Sequence, residues 1–246
     1  MRSASLNTAF GYRDFSQRSR KTEWLDQEGI DPEELGRVLH DLARFNAAML
    51  GHTPVLRWLK EVVAYRAEGG PLRLVDAGCG YGDLLRKIRR VAARRGLTIA
   101  LQGVDVNRES IHIARSVTDP GYEIAFEAAD IFQWISAEPV DLIVSSLFAH
   151  HLSDERIIDF IAWMEKTATR GWLICDLQRH PLPYYVIGLA GKVTPLHPGV
   201  FHDGQISVRR ALTHAEWQER LYAAEIPLDK VTIRSFWYRY AIGRLR

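Results

Sequence analysis

The sequence lacks the features that mark secreted, membrane-spanning and disulfide-stabilised proteins. It has only two cysteines, Cys79 and Cys175, and their spacing fits neither a disulfide framework nor a metal site. The N-terminus has no apolar signal-peptide core, and no run of about 18 apolar residues occurs anywhere in the chain. We therefore expect a cytoplasmic protein with no membrane span and no bound metal.

An excess of charge of one sign is also missing. The 32 Lys and Arg residues nearly balance the 30 Asp and Glu residues, which leaves a net charge of +2. A basic run between Arg86 and Arg95 lies on a predicted helix, where it suits the solvated face and the dipole of the helix C-terminus. Such a run could contact a phosphate backbone, but it is more often only the solvated face of an amphipathic helix, which disfavours a nucleic-acid partner. The near-neutral net charge argues neither for nor against an anionic partner.

One glycine-rich stretch organises the rest of the chain. Leu72, Leu74 and Val75 are typical of a short buried strand that Asp76 closes, and a helical pattern begins at Leu84. Glycine lets a ligand approach the backbone, and the helix N-terminus directs N–H groups towards it. The spacing D-x-G-x-G-x-G differs from the dinucleotide fingerprint, and its leading acid suits a cationic ligand. The glycines are Gly78, Gly80 and Gly82.

With its leading Asp, this stretch resembles motif I of the class I S-adenosylmethionine-dependent methyltransferases. Three later residues at predicted strand ends extend the resemblance: Asp105, Asp130 and Ser146. By this resemblance Asp105 takes the ribose hydroxyls, Asp130 meets the adenine amino group, and Ser146 lies beside the methionine part of the cofactor. Ser146 stands where the family more often has Asn or Asp. The alternative is a purely structural role, in which Asp105 caps a helix and Asp130 caps a short turn.

The resemblance implies S-adenosylmethionine as the cofactor. The N-P-P-[YF] tetrapeptide of adenine and glutamine N-methyltransferases is absent, which disfavours methylation of DNA amino groups. The cofactor-binding residues that the resemblance implies are Asp76, Gly78, Cys79, Gly80, Asp105, Val106, Asp130, Ile131, Ser146 and Leu147.

From residue 72 onward, strand and helix patterns alternate, which predicts an α/β fold with a doubly wound, mostly parallel, Rossmann-like sheet. Two aromatic-rich strands at the end of the chain lie too close together for a helical crossover, so they predict an antiparallel C-terminal hairpin. This ending resembles the antiparallel terminal hairpin of the methyltransferase sheet. The predicted strands are 72–76, 98–105, 122–127, 140–146, 171–176, 229–235 and 236–244, with helices at about 83–95, 107–116 and 153–168.

The chain divides by pattern into two parts. Residues 1–69 are predicted to form an N-terminal helical cap, and residues 70–246 a cofactor-binding Rossmann-like domain with an insertion at about 181–212. The insertion is predicted as a helix over 181–193 followed by a loop rich in proline and glycine. A capping box, Thr213 with Glu216, then opens another helix.

Three histidines on the ligand edge of the predicted sheet are candidates for a general base: His150, His151 and His180. A phenol or enol acceptor must lose a proton, and histidine accepts protons near neutrality. We favour His151 because the strand end fixes its backbone, although each of these histidines could instead pack or cap. His197 and His202 fall in the predicted loop, where we expect exposure.

The sequence as a whole resembles small-molecule methyltransferases of secondary or quinone metabolism. That resemblance implies O-methylation of a hydroxylated aromatic or polyketide-like small molecule, with Tyr184, Tyr185 and Phe201 shaping an aromatic pocket. Two alternatives stay open: an RNA or protein methyltransferase, and a non-catalytic protein that only binds the cofactor. The sequence does not fix the oligomeric state.

Overall fold

A seven-stranded sheet forms the centre of the computed structural model, which describes residues 14–27, 29–64 and 71–246. In space the strands follow the order β3-β2-β1-β4-β5-β7-β6. Strands β1 to β5 pair in parallel, whereas β7 is antiparallel to both β5 and β6. This confirms the predicted sheet and its C-terminal hairpin. The strands are β1 (Leu72–Ala77), β2 (Ile99–Asp105), β3 (Ile124–Ala128), β4 (Val140–Ser146), β5 (Ala168–Leu177), β6 (Thr232–Phe236) and β7 (Arg239–Leu245).

Helices connect and cover these strands, and the predicted caps form. The Asp31 side chain accepts the N–H groups of Glu33 and Glu34, and Thr213 and Glu216 form a reciprocal capping box. No helix in the described ranges is long and apolar enough to cross a membrane. The helices are α1 (Pro32–Ala48), α2 (Thr53–Ala64), α3 (Asp83–Arg94), α4 (Arg108–Ser116), α5 (Asp154–Thr167), α6 (Pro181–Val193), α7 (Pro198–Arg210) and α8 (His214–Ala223).

The strand order reverses between β1 and β4, which are neighbours in the sheet. In open α/β sheets, the crevice beyond the carboxyl ends of the strands at such a reversal is where ligands bind. The glycine-rich stretch follows β1 at this reversal. The topology therefore places the residues predicted to bind the cofactor around one crevice.

Two buried clusters cover the two faces of the sheet. One contains Val55, Trp58 and Leu59 of α2 together with residues of α3, and the other contains residues of α5 and α8. Helix α1 instead packs beside α4 and α7, where Phe45 meets Phe201 edge to face. Thus α2 shares the core of the sheet, and the division of the chain at residues 69 and 70 stays a prediction.

The predicted loop after α6 is wrong, because residues 198–210 form α7. Pro198 begins this helix, where its fixed φ is favourable, and the His197 ring caps it by accepting the Gly199 N–H. Its glycines allow close helix packing: a Cβ on Gly191 of α6 would meet the Phe201 ring at 2.8 Å. Tertiary packing therefore overrides the loop signal of the proline and glycine residues.

The hairpin between β6 and β7 turns through only two residues, Trp237 and Tyr238. Their φ angles are 43° and 58°, so both lie in the left-handed region that two-residue hairpin turns require. The turn places Arg239 at the first position of β7, opposite Leu177 at the end of β5.

Candidate functional site

A first cavity of about 1070 Å³ opens at the carboxyl ends of β1, β2 and β3. Seven of the ten residues predicted to bind the cofactor line it: Gly78, Gly80, Asp105, Val106, Asp130, Ile131 and Leu147. Asp76, Cys79 and Ser146 lie outside its lining. The structure therefore brings most of the predicted set to one cavity.

The glycine turn needs its glycines for two reasons. Gly78, Gly80 and Gly82 have φ angles of 73°, 47° and 73°, which residues with a Cβ rarely adopt. A Cβ on Gly80 would meet no atom within 4 Å, whereas one on Gly78 would collide with the Phe148 ring. Because Gly80 lines the first cavity, a side chain there would extend into space that a ligand can use.

Asp105 connects the glycine turn to the start of α4. Its Oδ2 accepts the Gly80 N–H at 2.8 Å and its Oδ1 accepts the Asn107 N–H at 2.9 Å. Burial raises the pKa of Asp105, and these two backbone hydrogen bonds oppose that shift. An ionised carboxylate has about four acceptor sites, so both oxygens can still accept from a ligand hydroxyl.

Two polar atoms at neighbouring strand ends are buried without a hydrogen-bond partner among the described residues: Asp76 Oδ1 and Ser146 Oγ. Burial raises the pKa of Asp76 well above its usual range, and the nearby charges of Asp83 and Asp105 raise it further. Buried polar groups are nearly always paired, so this arrangement suits a ligand that brings its own donor. Cys79 packs against β2, where a Cβ on Gly103 would meet its Sγ at 2.7 Å.

A second cavity of about 640 Å³ lies beside the first and is mostly apolar. The two cavities share three lining residues, Leu25, Leu147 and His151, so the cavities adjoin there. None of the three residues expected to shape an aromatic pocket, Tyr184, Tyr185 and Phe201, lines the first or the second cavity. The aromatic residues of the second cavity are Phe45, Trp237 and Tyr238.

His150 and His151 each bind a carboxylate through Nδ1. His150 Nδ1 lies 2.7 Å from Asp176 Oδ1, and His151 Nδ1 lies 2.9 Å from Asp26 Oδ1. Despite burial, the hydrogen bonds and charges of their partners hold the pKa of Asp176 and of Asp26 below the usual range. Because ionised carboxylates only accept, each Nδ1 carries a proton, so in the neutral form of either imidazole the lone pair is on Nε2.

Both Nε2 atoms face Glu23. They lie 3.6 Å (His150) and 3.8 Å (His151) from its carboxylate oxygens. Burial raises the pKa of Glu23 to about 7, against the charge of His151 and a hydrogen bond from Ser207. These three side chains, the Glu23 cluster, each offer one atom within a 4.8 Å span that could also hold a small cation.

The N-terminal segment, residues 14–27, carries Glu23 and Asp26 to this place. Asp203 of α7 accepts the N–H groups of Trp24 and Leu25, and Arg210 Nη1 lies 2.7 Å from Asp26 Oδ2. Sequence reasoning missed both acids, because the segment has no periodic pattern and its partners lie in the distant α7. The outer N-terminal residues 1–13 lie outside the described residues.

His180 is not part of this site. Its Nδ1 accepts the Leu182 N–H at 3.1 Å as the cap of α6, and it lines neither cavity. The loop expected around His197 and His202 is wrong, because His197 caps α7 and His202 lies within it. The expected exposure is confirmed for His202, whose ring binds Asp203, whereas His197 is only partly exposed. The structure thus brings His150 and His151 together and leaves His180 apart.

Sequence comparisons find methyltransferases. Residues 74–171 match a family model described as a methyltransferase domain. A trans-aconitate 2-methyltransferase of Streptomyces avermitilis is 32% identical over 197 residues, an alignment that covers 78% of this chain. The chain spans 59% of the length of that relative.

Solved methyltransferases share the fold. A plantazolicin methyltransferase in complex with a monoazolic desmethylPZN analog and SAH has a TM-score of 0.60 at 16% identity, over 87% of this chain and 98% of that chain. Human N-acetylserotonin methyltransferase in complex with SAM has a TM-score of 0.61 at 15% identity, over 88% of this chain and 56% of that chain. At these identities the likeness concerns the fold alone.

Proposed function

Because the chain carries the methyltransferase domain of the class I S-adenosylmethionine-dependent family, we propose that it methylates an oxygen atom of a small, largely apolar acceptor. When bound, S-adenosylmethionine supplies a methyl group that its positive sulfur activates. The preferred acceptor is a hydroxylated aromatic or polyketide-like compound. The observation that carries this proposal is the meeting of the two cavities at Leu25, Leu147 and His151.

The residues of the first cavity fit this cofactor. The remaining lone pairs of Asp105 suit the two ribose hydroxyls, and Asp130 suits the adenine amino group. Gly78 and Gly80 keep the backbone free of side chains where the cofactor approaches. Asp76 and Ser146 do not line the first cavity, but their unpaired buried oxygens are suited to accept from the polar methionine part, whose ammonium group is a donor.

His151 is the proposed general base. Asp26 fixes a proton on Nδ1 in the manner of a catalytic triad, so the neutral form of His151 has its lone pair on Nε2. His151 lines both cavities, so the base lies where acceptor and cofactor meet. Glu23, with a pKa of about 7 and an oxygen 3.8 Å from Nε2, is suited to share the proton that His151 takes up.

The test compares His151→Gln with the matched control His180→Gln. A phenol has a pKa near 10, so a positioned base should contribute roughly 10²–10⁴-fold to turnover. We expect His151→Gln to lose turnover on this scale, keep S-adenosylhomocysteine affinity within about threefold, and recover partly at high pH. His180→Gln should stay near wild type. Equal activity of both variants across the pH range would contradict the role of His151.

The same assay examines the cation that the Glu23 cluster could hold. If His151 acts as a base, a chelator should leave methyl transfer by the wild-type enzyme unchanged, since both Nε2 atoms are then free of metal. Loss of activity on chelation, with recovery on adding a divalent ion, would replace the base with metal-assisted ionisation of the acceptor.

A carboxylate oxygen is the second candidate for the methylated atom. The relative from Streptomyces avermitilis is named for trans-aconitate, an organic acid. A carboxylate is ionised at neutral pH and needs no base, so its methylation would be insensitive to His151→Gln. An RNA or protein acceptor is disfavoured, because the second cavity is apolar and only about 640 Å³ in volume.

The N-terminal region is proposed to cover the site. Glu23 and Leu25 of the N-terminal segment, with Leu42 and Phe45 of α1, all line the second cavity. Residues of this region therefore shape the acceptor space, and they separate it from solvent at the junction with the first cavity.

A further inference from the structure

The second cavity contains a buried arginine that makes no direct ion pair with any described residue. Arg239, the first residue of β7, is 4% exposed. Its Nε has no hydrogen-bond partner among the described residues, and its Nη1 donates only to the Met49 carbonyl, at 3.3 Å. Within the described ranges, no carboxylate oxygen lies within 4.0 Å of its guanidinium.

A buried guanidinium in this state is costly, since charges taken out of water need a partner. Burial lowers the pKa of Arg239, but arginine stays protonated in proteins. Asp176 is the nearby acid, and its oxygens already accept from the His150 ring, the His150 N–H and the Leu177 N–H. The remaining donors of Arg239 are therefore available to a ligand.

The position of Arg239 indicates that it faces the acceptor and not the cofactor. Arg239 lines the second cavity and not the first, and it is not among the residues at which the cavities meet. An anion bound there would lie inside the acceptor space but away from the junction at His151. Arg239 is thus placed to hold one end of the acceptor while a different atom reacts.

We propose that Arg239 is a carboxylate-binding residue, and that the acceptor is an acid whose apolar body fills the second cavity. The guanidinium fork matches a carboxylate with two parallel hydrogen bonds. This inference rests on the proposed function, because it takes the second cavity as the acceptor's. The cofactor also has a carboxylate, so the experiment must separate the two sources.

The acceptor arm uses 4-butylbenzoate and its neutral analogue 4-butylbenzamide, titrated by calorimetry with S-adenosylhomocysteine present. We expect the wild-type protein to prefer the benzoate by about tenfold or more, and Arg239→Met to lose that preference. Arg234→Met, an exposed arginine on β6 that pairs with Glu61, is the matched control and should keep it. Equal binding of the two probes by the wild type, or an unchanged preference in Arg239→Met, would overturn the proposal.

The cofactor arm compares S-adenosylhomocysteine with methylthioadenosine, which lacks the amino-acid part. Arg239→Met should bind both within about threefold of wild type. A tenfold loss for S-adenosylhomocysteine alone would assign Arg239 to the cofactor and overturn the acceptor assignment. Arg239→Lys keeps the charge without the fork, so it should keep part of the benzoate preference even if Arg239→Met folds poorly.

Neither arm measures turnover, so each is independent of the proposed reaction. A clear benzoate preference combined with no methyl transfer to any acceptor would leave the anion site standing and contradict the methyltransferase activity instead.

Discussion

Replacing Glu23 with Gln should remove a pH-dependent loss of folding stability. Glu23 is 3% exposed, and burial raises its pKa from 4.5 to about 7. Between these values the folded protein keeps a proton on Glu23 that the unfolded chain releases. The free energy of unfolding therefore falls as pH rises through this window. A shift of about 2.5 pKa units at about 1.36 kcal/mol per unit corresponds to roughly 3 kcal/mol.

The neighbouring aspartates do not obscure this slope. The pKa of Asp26 is lowered, so its contribution to stability is lost only as pH falls below about 4, outside the window. Asp76 and Asp105 have raised pKa values and add slopes of the same sign as Glu23. Both are present in wild type and variant, so they cancel in the difference between the two proteins.

The assay is urea unfolding of wild type and Glu23→Gln at several pH values from 5 to 8. The difference in unfolding free energy should move in favour of the variant by about 2–3 kcal/mol across this range. Glu33→Gln, which removes an exposed carboxylate from the first turn of α1, should show no such trend. Parallel curves for wild type and Glu23→Gln would mean that Glu23 is ionised in the folded protein, and would refute the argument from burial.

Three further substitutions test the cavities. Gly80→Val places a side chain in the first cavity at a φ of 47°, so S-adenosylhomocysteine affinity measured by calorimetry should fall more than tenfold in a folded protein; normal binding would contradict the assignment of the glycine turn. Asp105→Ala should weaken S-adenosylhomocysteine binding by about ten- to a hundredfold, since a charged hydrogen bond is worth roughly 1.5–3 kcal/mol. It should also lower the melting temperature, because it removes the acceptor of the Gly80 and Asn107 N–H groups. A lower melting temperature with unchanged affinity would make Asp105 only a structural residue. Asp203→Asn should loosen the N-terminal segment at Trp24 and Leu25. In steady-state kinetics the variant should have a higher KM for the acceptor than the wild-type protein, with little change in the KM for the cofactor. Unchanged KM values for both would show that the segment does not shape the acceptor space.

The fold was predictable because its signals are local. The alternation of strands and helices and the capping box at Thr213 depend on residues close together in sequence, and the structure contains them. Helix α7 was missed because proline and glycine signal a loop, whereas Gly204 packs closely against Ile187 of α6, a contact that the sequence pattern does not report.

The candidate site divides in the same way. Asp105 and Asp130 follow strands, so sheet topology alone predicts that they share one edge, and they do line one cavity. Glu23 and Arg239 have no such signal, because each reaches the second cavity from one end of the described chain through long-range contacts. Their chemistry arises from burial, which a sequence pattern does not report.

The two-residue turn between β6 and β7 couples thermal stability to the lining of the second cavity, the proposed acceptor space. Asn and Gly adopt its left-handed angles readily, whereas an ordinary residue there costs roughly 1–2 kcal/mol. Trp237 and Tyr238 occupy it nevertheless, and both line the second cavity. An engineer who searched for stabilising changes would select an Asn-Gly turn at an early stage and would remove part of the aromatic wall. Directed evolution of this protein must therefore select for thermal tolerance and acceptor choice together, because at this turn one set of substitutions changes both.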